Sequence, residues 1–286
     1  MDIIPAVNYE TLNKLKLKKL IPYIKKKQDF QDPLDINLIG SLTNVNKEDI
    51  TQVFNSYKKS FMEIEKNNSC VQIKYLSNEI VPYFLYQGNL DLIKTNCITI
   101  AGTRTPSPFG FYECSLLTSY IGMKDFTIVS GLARGIDTVA LKNALEKNFN
   151  TIGVIATPIN KYYPKENQKL QNLISKEGLL ISPIAPNTLT RKWHFLLRNK
   201  LMVNISLCSV VIEAFDGGGS TRMAEYSTSV NKPVFIPKFF YENKVTTWQK
   251  KISSIYPYVK YSEIPKAIEN QDFRKSMEKR IQRELF

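Results

Sequence analysis

Glycines beside an arginine at the start of a helix are what a chain needs to hold a phosphate, and that grouping recurs in this sequence. Its fullest form is Val129-Ser130-Gly131-Leu132-Ala133-Arg134-Gly135-Ile136-Asp137. A β-rich apolar run, Phe126-Thr127-Ile128-Val129, precedes it, and Ile136, Val139, Ala140 and Ala144 follow at the spacing of one helix face. A strand, a glycine turn and a helix N-terminus aim backbone N–H groups at an anion. Gly131 and Gly135 allow tight turning and close approach. Arg134 adds a planar, permanently charged fork. The loop is expected to form one wall of a phosphate-binding crevice.

Two other loops have the same chemistry. Gly102-Thr103-Arg104-Thr105-Pro106-Ser107 sets an arginine directly after a strand-end glycine. It is neither Gly-x-Gly-x-x-Gly nor a loop with a Walker lysine, so dinucleotide and P-loop triphosphate binding are disfavoured and simple anion binding is expected. Gly217-Gly218-Gly219-Ser220-Thr221 precedes a helix with Met223, Ala224 and Tyr226. Ser220 would serve as an N-cap. Three glycines exceed what a cap needs and open the helix N-terminus to a phosphate, which is the favoured reading.

Arg191-Lys192-Trp193-His194-Phe195-Leu196-Leu197-Arg198-Asn199-Lys200 mixes cations with rings. Bases stack on rings while cations hold the backbone, a pairing suited to single strands. Trp193 is read as core; Phe195 stays open between core and base contact. His194 is the only histidine and no acid–serine arrangement frames it, so a zinc site or a nucleophilic triad is disfavoured. Asp137 would meet the positive end of its helix, and Glu213 would orient Arg104 or Arg134. Neither has an evident partner for acid–base work, and no catalytic residue is expected.

These loops need a scaffold that brings them together. Ile98-Thr99-Ile100-Ala101, the run at 126–129, Thr151-Ile152-Gly153-Val154-Ile155, Leu179-Leu180-Ile181, Ser209-Val210-Val211-Ile212 and Pro233-Val234-Phe235-Ile236 read as strands buried on both faces. Helical patterns separate most of them. The expected fold class is α/β, a Rossmann-like doubly wound, mostly parallel sheet with a small N-terminal helical region. In such sheets the loops after the strands share one edge, where ligands bind near the switch point. Three segments are expected: a mostly helical region over 1–80, the Rossmann-like domain over 81–240, and a basic, partly helical extension over 241–286. In the first, Val71-Gln72-Ile73-Lys74-Tyr75 alternates as a strand, and the lysine run within 14–27 reads as a solvated helix face. In the last, Phe273, Met277 and Ile281 are spaced for a helix.

The 286 residues carry a net charge of +13, which suits a polyanionic partner, nucleic acid before membrane. No apolar run reaches the length of a membrane span, and the N-terminus lacks the layout of a signal peptide. Cys70, Cys97, Cys114 and Cys208 are widely spaced, without Cys-x-x-Cys, and read as reduced thiols of a cytoplasmic protein.

In order, the set Tyr86-Gln87-Gly88-Asn89, Ile100 to Arg104, Ser130 to Asp137, Thr151 to Ile155 with Tyr163-Pro164-Lys165-Glu166-Asn167, Phe195 with Arg198-Asn199, and Gly219-Ser220 before Ala224 resembles the DNA-processing protein A (DprA/Smf) family over roughly residues 80–237. The family commonly has other residues where Leu141, Pro183, Leu196 and Met223 stand here. The resemblance implies a dimer that binds single-stranded DNA in a basic pocket during natural transformation (competence) and DNA recombination; no cofactor and no metal are expected. It also implies help in loading a RecA-type recombinase, without catalytic turnover. Residue by residue it implies that Arg104, Ser107, Arg134, Arg198, Asn199 and Ser220 touch phosphates or shape the pocket, and that Phe195 meets a base. With the neighbouring loop positions, the expected contact set is Gly102, Thr103, Arg104, Ser107, Gly131, Arg134, Gly135, Phe195, Arg198, Asn199, Lys200, Gly219, Ser220 and Thr221. The alternative is a nucleotide-binding sensor or a hydrolase of nucleotide derivatives on the same fold. Related families use Gly-Gly-x-Gly-Thr-x-x-Glu, and Glu225 stands one residue away from that spacing.

Overall fold

The computed structural model describes residues 72–75, 83–184, 188–242, 246–252 and 255–269. Among them nine strands form one sheet: β1 (Gln72–Tyr75), β2 (Tyr83–Gly88), β3 (Cys97–Gly102), β4 (Thr127–Ser130), β5 (Thr151–Val154), β6 (Leu179–Ser182), β7 (Cys208–Ile212), β8 (Val234–Pro237) and β9 (Ile255–Tyr258). Their order is β1-β2-β6-β5-β4-β3-β7-β8-β9. From β6 to β9 every pairing is parallel; β2 runs antiparallel to β6, and β1 to β2. The strand order reverses at β3/β7, as in a doubly wound sheet.

The six expected strands are all present. Every residue of β4, β5, β6, β7 and β8 is buried, which is why their sequences are nearly continuously apolar. Full burial of a Val, Leu or Ile side chain is worth about 1.5–3 kcal/mol. Parallel neighbours require long crossovers, and helices supply them. They are α1 (Pro108–Gly122), α2 (Ile136–Glu146), α3 (Gln168–Glu177), α4 (Lys192–Ile205) and α5 (Gly219–Ser229), with the short α6 (Lys238–Tyr241) and α7 (Glu263–Glu269) after β8 and β9. α1 packs on α2 and α2 on α3; α4 packs on α5. Thr99 Oγ1 of β3 reaches Met202 O at 3.1 Å and Ser206 Oγ at 2.8 Å, so alternate β3 positions face α4. The buried Lys232 ammonium donates 2.7 Å hydrogen bonds to the carbonyls of Val203, Asn204 and Ser206, capping the C-terminal end of α4.

The sheet crosses both expected segment boundaries. β1 lies before residue 81, where the alternating run predicts a strand, and β9 lies beyond residue 240, in the stretch expected to be basic and partly helical. Tyr258 and Tyr261 donate 3.0 Å hydrogen bonds to the buried Glu113 carboxylate, fastening that stretch to α1. The helices expected within 1–71, and the one carrying Phe273, Met277 and Ile281, lie outside the described residues, as does Cys70. Cys97, Cys114 and Cys208 are buried free thiols, and burial pushes Cys97 and Cys114 up to about 12. No helix of the described residues is long and apolar enough to cross a membrane.

Candidate functional site

The loops leaving β3, β4 and β5 meet above the sheet because each is tied to the next. Ile136 N–H donates to Thr103 O at 3.1 Å. Gly135 has φ +72°, and a Cβ there would run into Thr103 O and the Arg104 backbone. Asn167 Nδ2 donates to Leu132 O at 2.9 Å and to Thr138 Oγ1 at 2.8 Å, which joins the third loop to the second. The first turns of α4 close the side. Between them lies a crevice of about 430 Å³. Arg104, Gly131, Ala133 and Arg134 line it from the first two loops. Ala156, Tyr162, Tyr163, Pro164, Lys165 and Glu166 line it from the third, and Phe195 and Arg198 from α4.

At its floor lies a buried ion pair. Arg198 Nη1 is 3.4 Å from Asp137 Oδ2, and each side chain is 7% exposed. The Asp137 carboxylate also accepts the N–H of Ala133 at 3.3 Å and that of Gly131. The turn expected to form a wall of the crevice does line it, and within the turn the Ala133 N–H is directed at the chain's own Asp137. A carboxylate taken out of water must recover hydrogen bonds, and the turn supplies them. Asp137 is therefore more than a charge at a helix start. Burial pushes its carboxyl upward against the opposing pull of Arg198 and the two N–H groups. Gly131 is required for closeness, since a Cβ would overlap the Arg198 guanidinium. Arg198 Nε has no hydrogen-bond partner among the described residues, so this buried cation keeps an unfilled donor.

The mouth is built differently. Arg134 Nε donates to Glu166 Oε1, and both side chains are at least half exposed. The bond favours both charged forms, raising Arg134 and lowering Glu166. Arg104 makes no ion pair among the described residues; its Cζ lies 6.0 Å from the centroid of the Phe195 ring. Phe195, half-buried, meets the Tyr163 ring edge-on with centroids 5.6 Å apart. That answers the open reading of Phe195: its ring lines the crevice rather than the core.

Of the expected contact set, Arg104, Gly131, Arg134, Phe195 and Arg198 line the crevice. The rest hold it up or lie beside it. Gly102 lets β3 approach Ile212 O and Ile136. Thr103 is buried and its Oγ1 accepts Thr105 N–H at 3.2 Å. Ser107 caps α1 by accepting Gly110 N–H at 3.0 Å. Its own N–H and hydroxyl donate to Glu213 Oε2 at 2.8 and 3.0 Å, so Glu213 orients Ser107, not Arg104 or Arg134. Asn199 Nδ2 donates to Gly219 O at 3.1 Å. Lys200 Nζ stands 5.2 Å from the Tyr226 ring centroid. Gly218, without a side chain, is the N-cap of α5; Ser220 lies inside the first turn, and Thr221 Oγ1 donates back to Gly218 O at 2.7 Å. Residues 219–221 are therefore joined to α4 through Asn199 and do not line the crevice. Glu225 is exposed on α5 and does not line it either. Trp193, expected in the core, is half-buried with its ring 4.1 Å from that of His194.

Sequence reasoning missed the roles of Tyr163, Glu166 and Asn167. All three stand in the Tyr163-Pro164-Lys165-Glu166-Asn167 segment, and a loop after a buried strand was the available signal. Their tasks depend on partners 29–35 residues away, which a motif does not name.

The family model described as DNA recombination-mediator protein A matches residues 61–255. The DNA processing protein DprA of Bacillus subtilis is 35% identical over 150 residues, covering 52% of this chain and 50% of that protein. The chain spans about half the length of the curated relatives it matches. In fold it is similar to the X-ray structure of DNA processing protein A from Streptococcus pneumoniae, with TM-score 0.68 and 22% identity over 91% of this chain and 94% of that one. It is also similar to the Helicobacter pylori DNA processing protein A described for its single-stranded DNA binding mode, with TM-score 0.59 and 24% identity over 66% and 87%. With two thirds of its residues matched, this chain belongs to the DNA recombination-mediator protein A family.

Proposed function

We propose that the chain binds single-stranded DNA in the crevice, with phosphates at Arg104 and Arg134, above the buried Arg198–Asp137 pair, and a base against Phe195 and Tyr163. One observation carries this reading: Arg104, a cation without a carboxylate partner among the described residues, stands over Phe195, whose ring Tyr163 flanks. Cation and rings in one crevice offer a strand's backbone and an unpaired base their partners together. Family membership, the binding named for the Helicobacter pylori relative and a net charge of +13 support it. In this reading the protein holds DNA without turning it over. It acts in the cytoplasm during DNA uptake and recombination, as a homodimer that passes its strand to a RecA-type recombinase. The buried free thiols suit that compartment.

The test is fluorescence anisotropy with a labelled oligonucleotide, single-stranded against duplex, across a salt series. The single strand is expected to bind more tightly, with log K falling by about 0.7 per phosphate neutralised for each decade of salt. Equal affinity for duplex, or binding indifferent to salt, would end this reading. Sedimentation of the free protein and recombinase filament assembly on coated single strands test the dimer and the hand-over.

A further inference from the structure

The three arginines of the crevice stand in three different states. Arg104 is open among the described residues, Arg198 is locked to a buried carboxylate, and Arg134 is clasped by an exposed one. We infer that Glu166 is an intramolecular competitor for phosphate at Arg134, and so sets how tightly the crevice holds a strand. The inference rests on the DNA-binding reading above and assigns Glu166 a role in that site.

Glu166 accepts from Arg134 Nε, on the edge of the guanidinium where a phosphate would dock with two parallel N–H donors. Both residues line the crevice, so the contest is within the site itself. The clasp is built in by the loop. Next to Glu166, Asn167 is buried and bonded to Leu132 O and Thr138 Oγ1, which flank the Arg134 turn. The carboxylate is thus held within reach of Arg134 and does not depend on a chance approach from solvent. Asp137 and Arg198 show the contrast. Buried and bonded to the turn's own N–H groups, that pair is structural and too costly to exchange. An exposed pair such as Arg134–Glu166 shifts an equilibrium by at most about fivefold. It is weak enough for a phosphate to displace and strong enough to lower the affinity measurably.

The test compares four proteins by anisotropy with the same single-stranded oligonucleotide at low salt: wild type, Glu166→Gln, Arg134→Ala, and the double variant. Glu166→Gln removes the charge, keeps the shape, and is expected to tighten binding by two- to fivefold. That gain alone could come from relieved repulsion, so the decisive quantity is the loss caused by Arg134→Ala. Competition requires a loss up to about fivefold larger in the Glu166→Gln background, where Arg134 no longer has to leave its partner. Equal losses in both backgrounds would mean that the two charges act independently and would overturn the inference while leaving the DNA-binding reading intact. Failure of both wild type and Glu166→Gln to bind would overturn both. The substituted side chains are exposed, so melting temperatures close to wild type are expected for all three variants.

Discussion

Asp137 Oδ2 sits 3.4 Å from Arg198 Nη1 with both side chains nine-tenths removed from water, at the point where the turn after β4 meets α4. The contact spans 61 residues of sequence and joins the two elements that form opposite sides of the crevice. Removing one member leaves the other charge buried without its partner. Asp137→Ala is therefore expected to destabilise the fold by about 3–5 kcal/mol. Asp137→Leu with Arg198→Met, which removes both charges, should cost clearly less, because no uncompensated charge remains. Urea unfolding of the three proteins checks the ordering; equal losses from the single and double variants would deny the pair its structural role.

Glycine at 131 and at 135 serves closeness in two different ways. A Cβ on Gly135 would strike Thr103 O and the Arg104 backbone, at φ +72°, so neither the neighbour nor the conformation can yield cheaply. A Cβ on Gly131 would strike the tip of Arg198, which can swing aside at the expense of its bond to Asp137. Gly131→Ala, which drives Arg198 off the buried Asp137, is expected to destabilise more than Gly135→Ala, by about 3–5 kcal/mol against about 1–3 kcal/mol. Thermal unfolding checks the ranking.

The sheet was legible because its strands are buried on both faces, which leaves unbroken apolar runs, whereas β2 and β9 carry mixed sequences such as Tyr83-Phe84-Leu85-Tyr86-Gln87-Gly88 and Ile255-Tyr256-Pro257-Tyr258. β9 has the exposed Tyr256 at the sheet edge, and nothing in its pattern separates it from a loop. In the site, residue types were legible and pairings were not. The arginines at 104, 134 and 198 announce an anion site, but Asp137 and Glu166 decide which of them is open, and that depends on loop geometry. Gly131 and Gly135 read from sequence as a phosphate turn. The same backbone serves equally for a carboxylate four residues on, since both are anions with oxygens to be satisfied.

His194 gives the fold a pH dependence of its own. Its side chain is buried at the start of α4, Nδ1 accepts Arg191 N–H at 3.2 Å, and Nε2 has no hydrogen-bond partner among the described residues. Burial, helped by the charge of Arg191, pushes its pKa down to about 4. The unfolded chain, with its histidine near 6.5, therefore binds the proton that the folded chain refuses between those values. Stability is fully present above about pH 7 and falls as the pH drops from 6.5 toward 4. Urea midpoints between pH 7.5 and 5 should show the decline, and His194→Gln should flatten it in the upper part of that window, above the range where carboxylates titrate.

Arg104 and Phe195 form one contact but should fail in distinguishable ways. The arginine contributes charge, and the ring contributes a stacking face. A lost phosphate contact weakens binding and also reduces the number of counterions released, so Arg104→Ala should lower the salt slope by about 0.7. A lost stacking face weakens binding without changing how many phosphates are neutralised. Phe195→Ala is thus expected to cost about 1–3 kcal/mol of affinity with the slope unchanged. Phe195→Trp, which keeps a ring under the guanidinium, should retain most of it. Anisotropy titrations of the three variants at four or more salt concentrations separate the effects. A slope altered by Phe195→Ala but not by Arg104→Ala would place the strand elsewhere on the molecule.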